Sequence, residues 1–178
     1  MKLIKLTVFA SLLFSFIIMF TSCEPDAEIK KTTDFQKNGI IMSGAQENPA
    51  NSSTALGSMD VSYTRDTRIL SYKVTWSGLT DSVMLMHIHG SSPSGFNAAV
   101  LQNIIIPATP NGTVGNGIFP QKTSAGKFTY AKTGTISATL LVDGVFIKEQ
   151  DLLNGLFYMN IHTNAYPGGE IRGQIVFQ

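Results

Sequence analysis

Apolar and polar residues alternate with a period of two along much of the chain after residue 38. The clearest run is 70–77, in which Leu, Tyr, Val and Trp alternate with Ser, Lys, Thr and Ser. Residues 59–63, 157–162 and 170–177 show similar alternation. Because successive side chains of a strand point to opposite faces, this pattern predicts strands with one buried and one polar face.

Turn-forming residues separate these runs. Gly, Asn, Asp and Pro cluster at 78–81, 111–112, 116–117, 143–144 and 167–169. Many short alternating strands divided by such turns favour an antiparallel all-β sandwich or barrel.

Two segments depart from the strand pattern. Residues 148–154 are predicted to form one short helix, which Gly155 closes. Residues 107–132 are rich in Gly, Pro, Thr, Ser and Lys, and we expect a long loop or hairpin excursion there.

The start of the chain has the features of a secretory signal peptide. A basic start precedes an apolar stretch at 6–20, and two small residues follow it. Phe-Thr-Ser-Cys at 20–23 resembles a bacterial lipobox, in which the cysteine is lipidated and becomes the mature N-terminus. The resemblance implies that Cys23 anchors the protein to a membrane by its lipid. The alternative is an ordinary signal peptide with an incidental cysteine.

These features divide the chain into three parts. We expect 1–22 to be a lipoprotein signal peptide, 23–37 a lipidated N-terminus and flexible linker, and 38–178 one β domain. The implied location is the bacterial cell envelope. An acidic segment at 24–28 resembles lipoprotein export tethers in Bacteroidetes-like bacteria, which favours the outer membrane.

Composition excludes several classes of function. Thirteen Lys and Arg against twelve Asp and Glu give a net charge of +1, which provides no electrostatic basis for binding nucleic acid. The single cysteine cannot form an internal disulfide or a paired-cysteine metal site. Metal chemistry in the mature chain would therefore rest on its three histidines.

Those histidines occur at two predicted strand ends. His87 and His89 are two residues apart, so they should share a strand face about 7 Å apart, with Met86 and Ile88 facing the core. His162 ends another predicted strand. If the two strands are neighbours, three imidazoles could hold one Zn or Cu ion with one position open. The alternative is a polar strand face whose histidines only hydrogen-bond a loop.

A dense motif, Pro-Gly-Gly-Glu-Ile-Arg-Gly at 167–173, predicts a tight turn followed by the last strand. Glu170 and Arg172 should share a face of that strand. The guanidinium of Arg172 could bind an anion or a carboxylate. We favour a structural role, in which Arg172 ties the terminal strand to a loop carboxylate or carbonyl groups.

Six motifs occur in an order that resembles the CHRD domain family. They are Ser-Gly-Ala-Gln-Glu-Asn-Pro at 43–49, Ala-x-Gly at 55–57, Trp-Ser-Gly-Leu at 76–79, His-Ile-His-Gly at 87–90, Tyr-Met-Asn-Ile-His-Thr at 158–163 and Pro-Gly-Gly-Glu-Ile-Arg-Gly-Gln at 167–174. The resemblance covers residues 38–178 and implies an extracytoplasmic, Greek-key-like β-sandwich. The Ser-Ser-Pro-Ser-Gly loop at 91–95 departs from the family, in which many members have Pro-Ala and a Gly-rich loop.

A fainter resemblance is to copper/zinc superoxide dismutases. Gly-Leu-Thr at 78–80 followed by His87 and His89 is similar to a stretch of that family. The resemblance implies that His162 and Arg172 would complete a copper site, and it leaves the sandwich superoxide-dismutase-like or immunoglobulin-like. The chain lacks the family's disulfide and its histidine-rich zinc loop, so a two-metal dismutase is not expected.

The sequence favours a membrane-anchored binding or structural module for an unidentified protein or envelope ligand. It contains no complete set of catalytic motifs, so an enzymatic function is the less favoured hypothesis. The alternative is a mononuclear metal-binding protein with one Cu or Zn ion on three histidines. A superoxide-dismutase-like redox activity would be an extension of that alternative.

Overall fold

The computed structural model describes residues 33–105 and 132–177 of the 178-residue chain. The predicted signal peptide, Cys23, the linker to residue 32 and nearly all of the predicted excursion at 107–132 lie outside the described residues. Within the described ranges, no helix is long and apolar enough to cross a bilayer.

Eight strands and one α-helix account for most of the described chain. In order they are β1 (Asp34–Ser43), a 3-10 turn (Gly44–Gln46), β2 (Leu56–Thr64), β3 (Ile69–Ser77), β4 (Val83–His89), β5 (Val100–Ile105), β6 (Gly134–Leu141), α1 (Glu149–Leu153), β7 (Phe157–Thr163) and β8 (Ile171–Ile175). The all-β prediction with one short helix is confirmed.

The strands form one antiparallel sheet in the order β5-β4-β7-β8-β1-β2-β3-β6. β7 pairs with β4 and β6 pairs with β3, so the connections cross over in the manner of a Greek key. The two edge strands also approach one another. Gln102 of β5 accepts a hydrogen bond from the Tyr72 hydroxyl at 2.9 Å and donates one to the Thr139 carbonyl of β6 at 2.8 Å. The sheet therefore curls into a nearly closed barrel.

The barrel interior is the core that the alternation predicted. Leu70, Tyr72, Val74 and Trp76 of β3 are each at most 3% exposed. On β4, Met86 and Ile88 are fully buried in the core. The outer face of β4 is therefore left for the two histidines of that strand.

The outer face beside β4 is covered rather than open to solvent. Every residue of β7 is buried, including those that point away from the core. Loop 90–99 lies over this face, where Arg172 of β8 donates to the Phe96 carbonyl at 2.9 Å. Asn97 also donates to the Asn48 carbonyl at 2.8 Å, which joins that loop to the one after β1. Strands β4, β7 and β8 thus have apolar contacts on one face and a covered polar layer on the other.

Gly173 lets β8 approach β1 closely. A Cβ at this position would lie 2.9 Å from the Ile41 backbone oxygen and 2.7 Å from Cγ of Met42. Because the backbone of β1 cannot yield without disturbing the sheet, Gly173→Ala is expected to lower the free energy of unfolding by about 1–3 kcal/mol. Urea denaturation measures this loss. Gly168→Ala is the control, since its Cβ would meet no heavy atom within 4 Å; equal losses would contradict the close-approach explanation.

Candidate metal centre

The three histidines meet on the covered face of the sheet. Strands β4 and β7 are direct neighbours, with His87 opposite Asn160 and Leu85 opposite His162. One ring nitrogen from each of His87, His89 and His162 lies within 4.8 Å of the other two. The side chains are only 7–8% exposed. The neighbouring strands that the three-histidine hypothesis required are therefore present.

Backbone carbonyl groups fix the protonation of two of the rings. Nδ1 of His89 lies 2.9 Å from the Ala98 carbonyl oxygen, and Nδ1 of His162 lies 2.9 Å from that of Pro167. A carbonyl only accepts, so each Nδ1 carries the hydrogen, and Nε2 of the neutral ring is left with a free lone pair. Metal-binding histidines are oriented by the same kind of outer hydrogen bond.

The third ring contacts this pair directly. Nδ1 of His87 lies 3.1 Å from Nε2 of His162, and the two ring centroids are 4.9 Å apart. Burial, together with the neighbouring His162 and His89, lowers the pKa of His87 to about 4. Burial also outweighs the hydrogen bonds of His89 and His162, so their pKa values are lowered too. All three imidazoles are consequently neutral at pH 7, the form in which imidazole binds metals.

Asn160 places an amide oxygen among the rings. Its Oδ1 lies 3.1 Å from Nε2 of His89 and 3.0 Å from Nε2 of His162, and the residue is 3% exposed. Asn160 was not among the site residues predicted from sequence. Its position two residues before His162 was the available signal, because residues at that spacing share a strand face.

Glu47 reaches the same layer from the loop after β1. It is 7% exposed, and within the described part of the chain its Oε1 has no hydrogen-bond partner. Burial raises the pKa of Glu47 to about 7, against the opposing effects of the Arg172 charge and of interactions with the Asn160 amide and the Asn48 backbone. Sequence reasoning missed this residue, since nothing in a loop motif reveals which strand face the loop covers.

Arg172 lies beside the histidines but is engaged by the covering loop. Its guanidinium carbon sits 3.4 Å from the centroid of the Tyr158 ring, and that ring stacks on His89 at 4.7 Å. Besides the Phe96 carbonyl, it donates to Oδ1 of Asn97 at 3.3 Å. Arg172 is 1% exposed, and its donors are directed to the loop and to Oε1 of Gln174, at 3.3 Å, rather than to solvent.

Glu170 belongs to a separate hydrogen-bond network. It is fully buried, and Oε1 accepts from the Ser53 hydroxyl and from the backbone and hydroxyl of Thr80, each at 2.8 Å. Oε2 accepts from the Thr163 hydroxyl at 2.6 Å. Burial raises the pKa of this carboxyl, but these bonds together outweigh it and leave the pKa below its ordinary value. The structure does not bring Glu170 and Arg172 within ion-pair distance in its described part.

The site lies inside a recognised sequence family. A family model for the CHRD domain matches residues 39–175. The chain belongs to the CHRD domain family. The CHRD match contains all three histidines, Asn160, Glu47, Glu170 and Arg172. No curated protein and no solved structure matches the chain. The resemblance to copper/zinc superoxide dismutases therefore stays an expectation from sequence.

The donor chemistry of the cluster fits a borderline divalent ion. Imidazole nitrogens suit Zn²⁺ and Cu²⁺, and thiolates, which select softer ions, are absent from this part of the sequence. The burial and neutrality of the rings leave lone pairs available without a competing proton at pH 7. His87, His89 and His162 are the residues that would hold such an ion.

Proposed function

We propose that the chain is a cell-envelope binding protein whose CHRD domain holds one divalent transition-metal ion, zinc or copper. His87, His89 and His162 are the ligands. The observation that carries this proposal is the convergence of three buried, neutral imidazoles, two of which direct an unprotonated Nε2 into the cluster. A bound metal ion would be coordinated by the Nε2 lone pairs, and its positive charge would stabilise them in the buried cluster.

The competing explanation is that the histidines only fasten loops to the sheet. The two Nδ1 bonds to loop carbonyls would satisfy it. Nδ1 of His87 can donate to Nε2 of His162 at 3.1 Å, but Nε2 of His89 is left facing the Asn160 amide oxygen at 3.1 Å, and an unsatisfied buried polar atom is costly. A cation among these atoms removes that cost, which favours metal binding over loop attachment alone.

Lipid anchoring at Cys23 is part of the same proposal. Its support is the lipobox-like sequence at 20–23 after an apolar stretch. Incorporation of a labelled fatty acid into the expressed chain, lost in Cys23→Ser, tests it. A label that persists in Cys23→Ser would contradict attachment at this residue.

Metal analysis of the untagged full chain tests the ion site. After chelator treatment and removal of the chelator, the protein is incubated with Zn²⁺ or Cu²⁺, desalted, and analysed for metal and protein content. We expect one equivalent of ion per chain, because a site formed by three preorganised ligands binds stoichiometrically. Less than about 0.1 equivalent for both ions would overturn the proposal.

A further inference from the structure

We infer that Asn160 is a fourth ligand and that the ion is enclosed by four protein donors, three nitrogens and one amide oxygen. This inference rests on the proposed metal site and deepens it. An ion enclosed by four protein ligands has a structural role, because a catalytic site leaves one coordination position open for water or substrate. The superoxide-dismutase-like extension would therefore not apply to this domain.

The position of the amide oxygen is the first support. Oδ1 of Asn160 is within 3.0–3.1 Å of two Nε2 atoms that carry no hydrogen. Nδ1 of His87 can donate to Nε2 of His162, but Nε2 of His89 and Oδ1 of Asn160 remain two acceptors in contact, which repel one another unless something positive lies between them. A divalent ion bound by both Nε2 atoms and by Oδ1 relieves this repulsion, and Oδ1 is already adjacent to the nitrogen ligands.

Glu47 explains why the amide oxygen, rather than the amide nitrogen, faces the rings. The Asn160 side chain interacts with the Glu47 carboxylate as well as with the histidines. If the amide turned over, its NH₂ group would satisfy the rings, but the hydrogen bond that this group gives Glu47 would be lost. The Glu47 side chain behind the amide thus favours the orientation that presents oxygen to the ion. Glu47 is a positioning residue in this arrangement, since it acts through Asn160.

The covering loops supply the enclosure. The loop after β1 contributes Glu47, loop 90–99 binds His89 through the Ala98 carbonyl, and the turn before β8 binds His162 through the Pro167 carbonyl. Asn160 itself is 3% exposed. Three separate loops are therefore fastened around one cluster, and an ion there would hold them together.

Cobalt(II) provides a spectroscopic probe of the coordination number. The chelator-treated full chain is loaded with one equivalent of Co²⁺, and its visible spectrum is recorded with and without azide. An ion already bound by four protein donors should show a spectrum that azide does not change. Asn160→Ala opens one position, so we expect an azide-sensitive spectrum and Co²⁺ affinity lower by at least about 10–100-fold, the range found for outer-shell partners.

Three further variants make the test specific. Asn103→Ala removes an exposed amide opposite His87 on β5 and should behave as wild type. Asn160→Asp keeps an oxygen and should bind Co²⁺ with a shifted spectrum that azide leaves unchanged. Glu47→Gln should weaken Co²⁺ binding by about 10–100-fold and change the spectrum, whereas Asp66→Asn, at an exposed carboxylate, should change neither.

The outcomes separate the two proposals. A wild-type chain that binds no metal overturns the proposed function itself. A wild-type chain that binds one equivalent but whose spectrum responds to azide overturns only the enclosed site. Wild-type affinity and spectrum in Asn160→Ala would overturn the ligand role of Asn160. If Asn160→Ala does not fold, Asn160→Asp decides, and a spectrum identical to that of wild type contradicts the inference.

Discussion

Replacement of Glu170 by alanine is expected to lower the free energy of unfolding by about 3–5 kcal/mol. The carboxylate is fully buried and accepts four hydrogen bonds, from Ser53, Thr80 and Thr163. Bonds to a charged group are stronger than neutral ones, and their loss leaves the Thr80 backbone N–H unsatisfied. Relief of the desolvation cost offsets part of the loss. Urea denaturation of wild type and variant measures it, and a loss below about 1 kcal/mol, the net worth of one ordinary bond, would contradict this role.

The pH dependence distinguishes charge from shape at Glu170. Its hydrogen bonds hold the pKa below the ordinary value of 4.5, although burial opposes them. A carboxyl with a lowered folded-state pKa stabilises the protein above that ordinary value and loses this contribution as pH falls through the folded-state pKa. The stability difference between wild type and Glu170→Gln should therefore be largest near neutral pH and shrink in acid. A difference that stays constant from pH 7 to strongly acidic pH would show that the charge is not involved.

His162→Ala is expected to remove the stabilisation that zinc gives the wild-type chain. With free Zn²⁺ at 100 times the dissociation constant, wild type should gain about 2.7 kcal/mol. A variant that binds about 100-fold more weakly should gain only about 0.4 kcal/mol at the same concentration. His162 also bonds the Pro167 carbonyl, so the variant loses stability without metal too. The informative quantity is the difference between unfolding free energies with and without Zn²⁺.

Asn103→Ala is the matched control for the zinc experiment. Asn103 is exposed on β5 opposite His87, and it is not one of the proposed ligands. Its gain from Zn²⁺ should equal that of wild type. An equal gain in His162→Ala and wild type would contradict ligation by His162.

Period-two alternation predicted the strands that correspond to β2, β3, β4, β7 and β8, whereas β1, β5 and β6 were not predicted from it. It placed Met86 and Ile88 in the core and His87 and His89 together on the opposite face, because side-chain direction depends only on position along a strand. The pairing of β4 with β7 could not be read in the same way. Their residues are about 75 positions apart, as for His87 and His162, and pairing at that distance depends on the whole sheet.

The sequence did not reveal the role of loop residues in the site, nor how the end of a strand changes the partners of a predicted residue. Glu47 reaches the histidine layer because the loop after β1 folds over a face that alternation describes only as polar. Glu170 and Arg172 have the spacing of same-face residues, but β8 begins at Ile171. Glu170 therefore lies before the paired strand, and its carboxylate joins the Ser53 and Thr80 network instead of lying beside Arg172.

The CHRD family membership that the motifs indicated is confirmed, whereas the lipid anchor at Cys23 and the envelope location stay predictions. Membership of this family identifies the type of domain, but it does not identify the chemistry of the domain. The local geometry of the three histidines therefore carries the functional proposal.

The most direct measurement is an anomalous difference map from crystals of the full chain grown with one equivalent of Zn²⁺ and recorded at the zinc absorption edge. We predict one peak bonded to ring nitrogens of His87, His89 and His162 at about 2.0–2.1 Å, with the Asn160 oxygen beside it. A map without a peak at these rings would contradict a metal site.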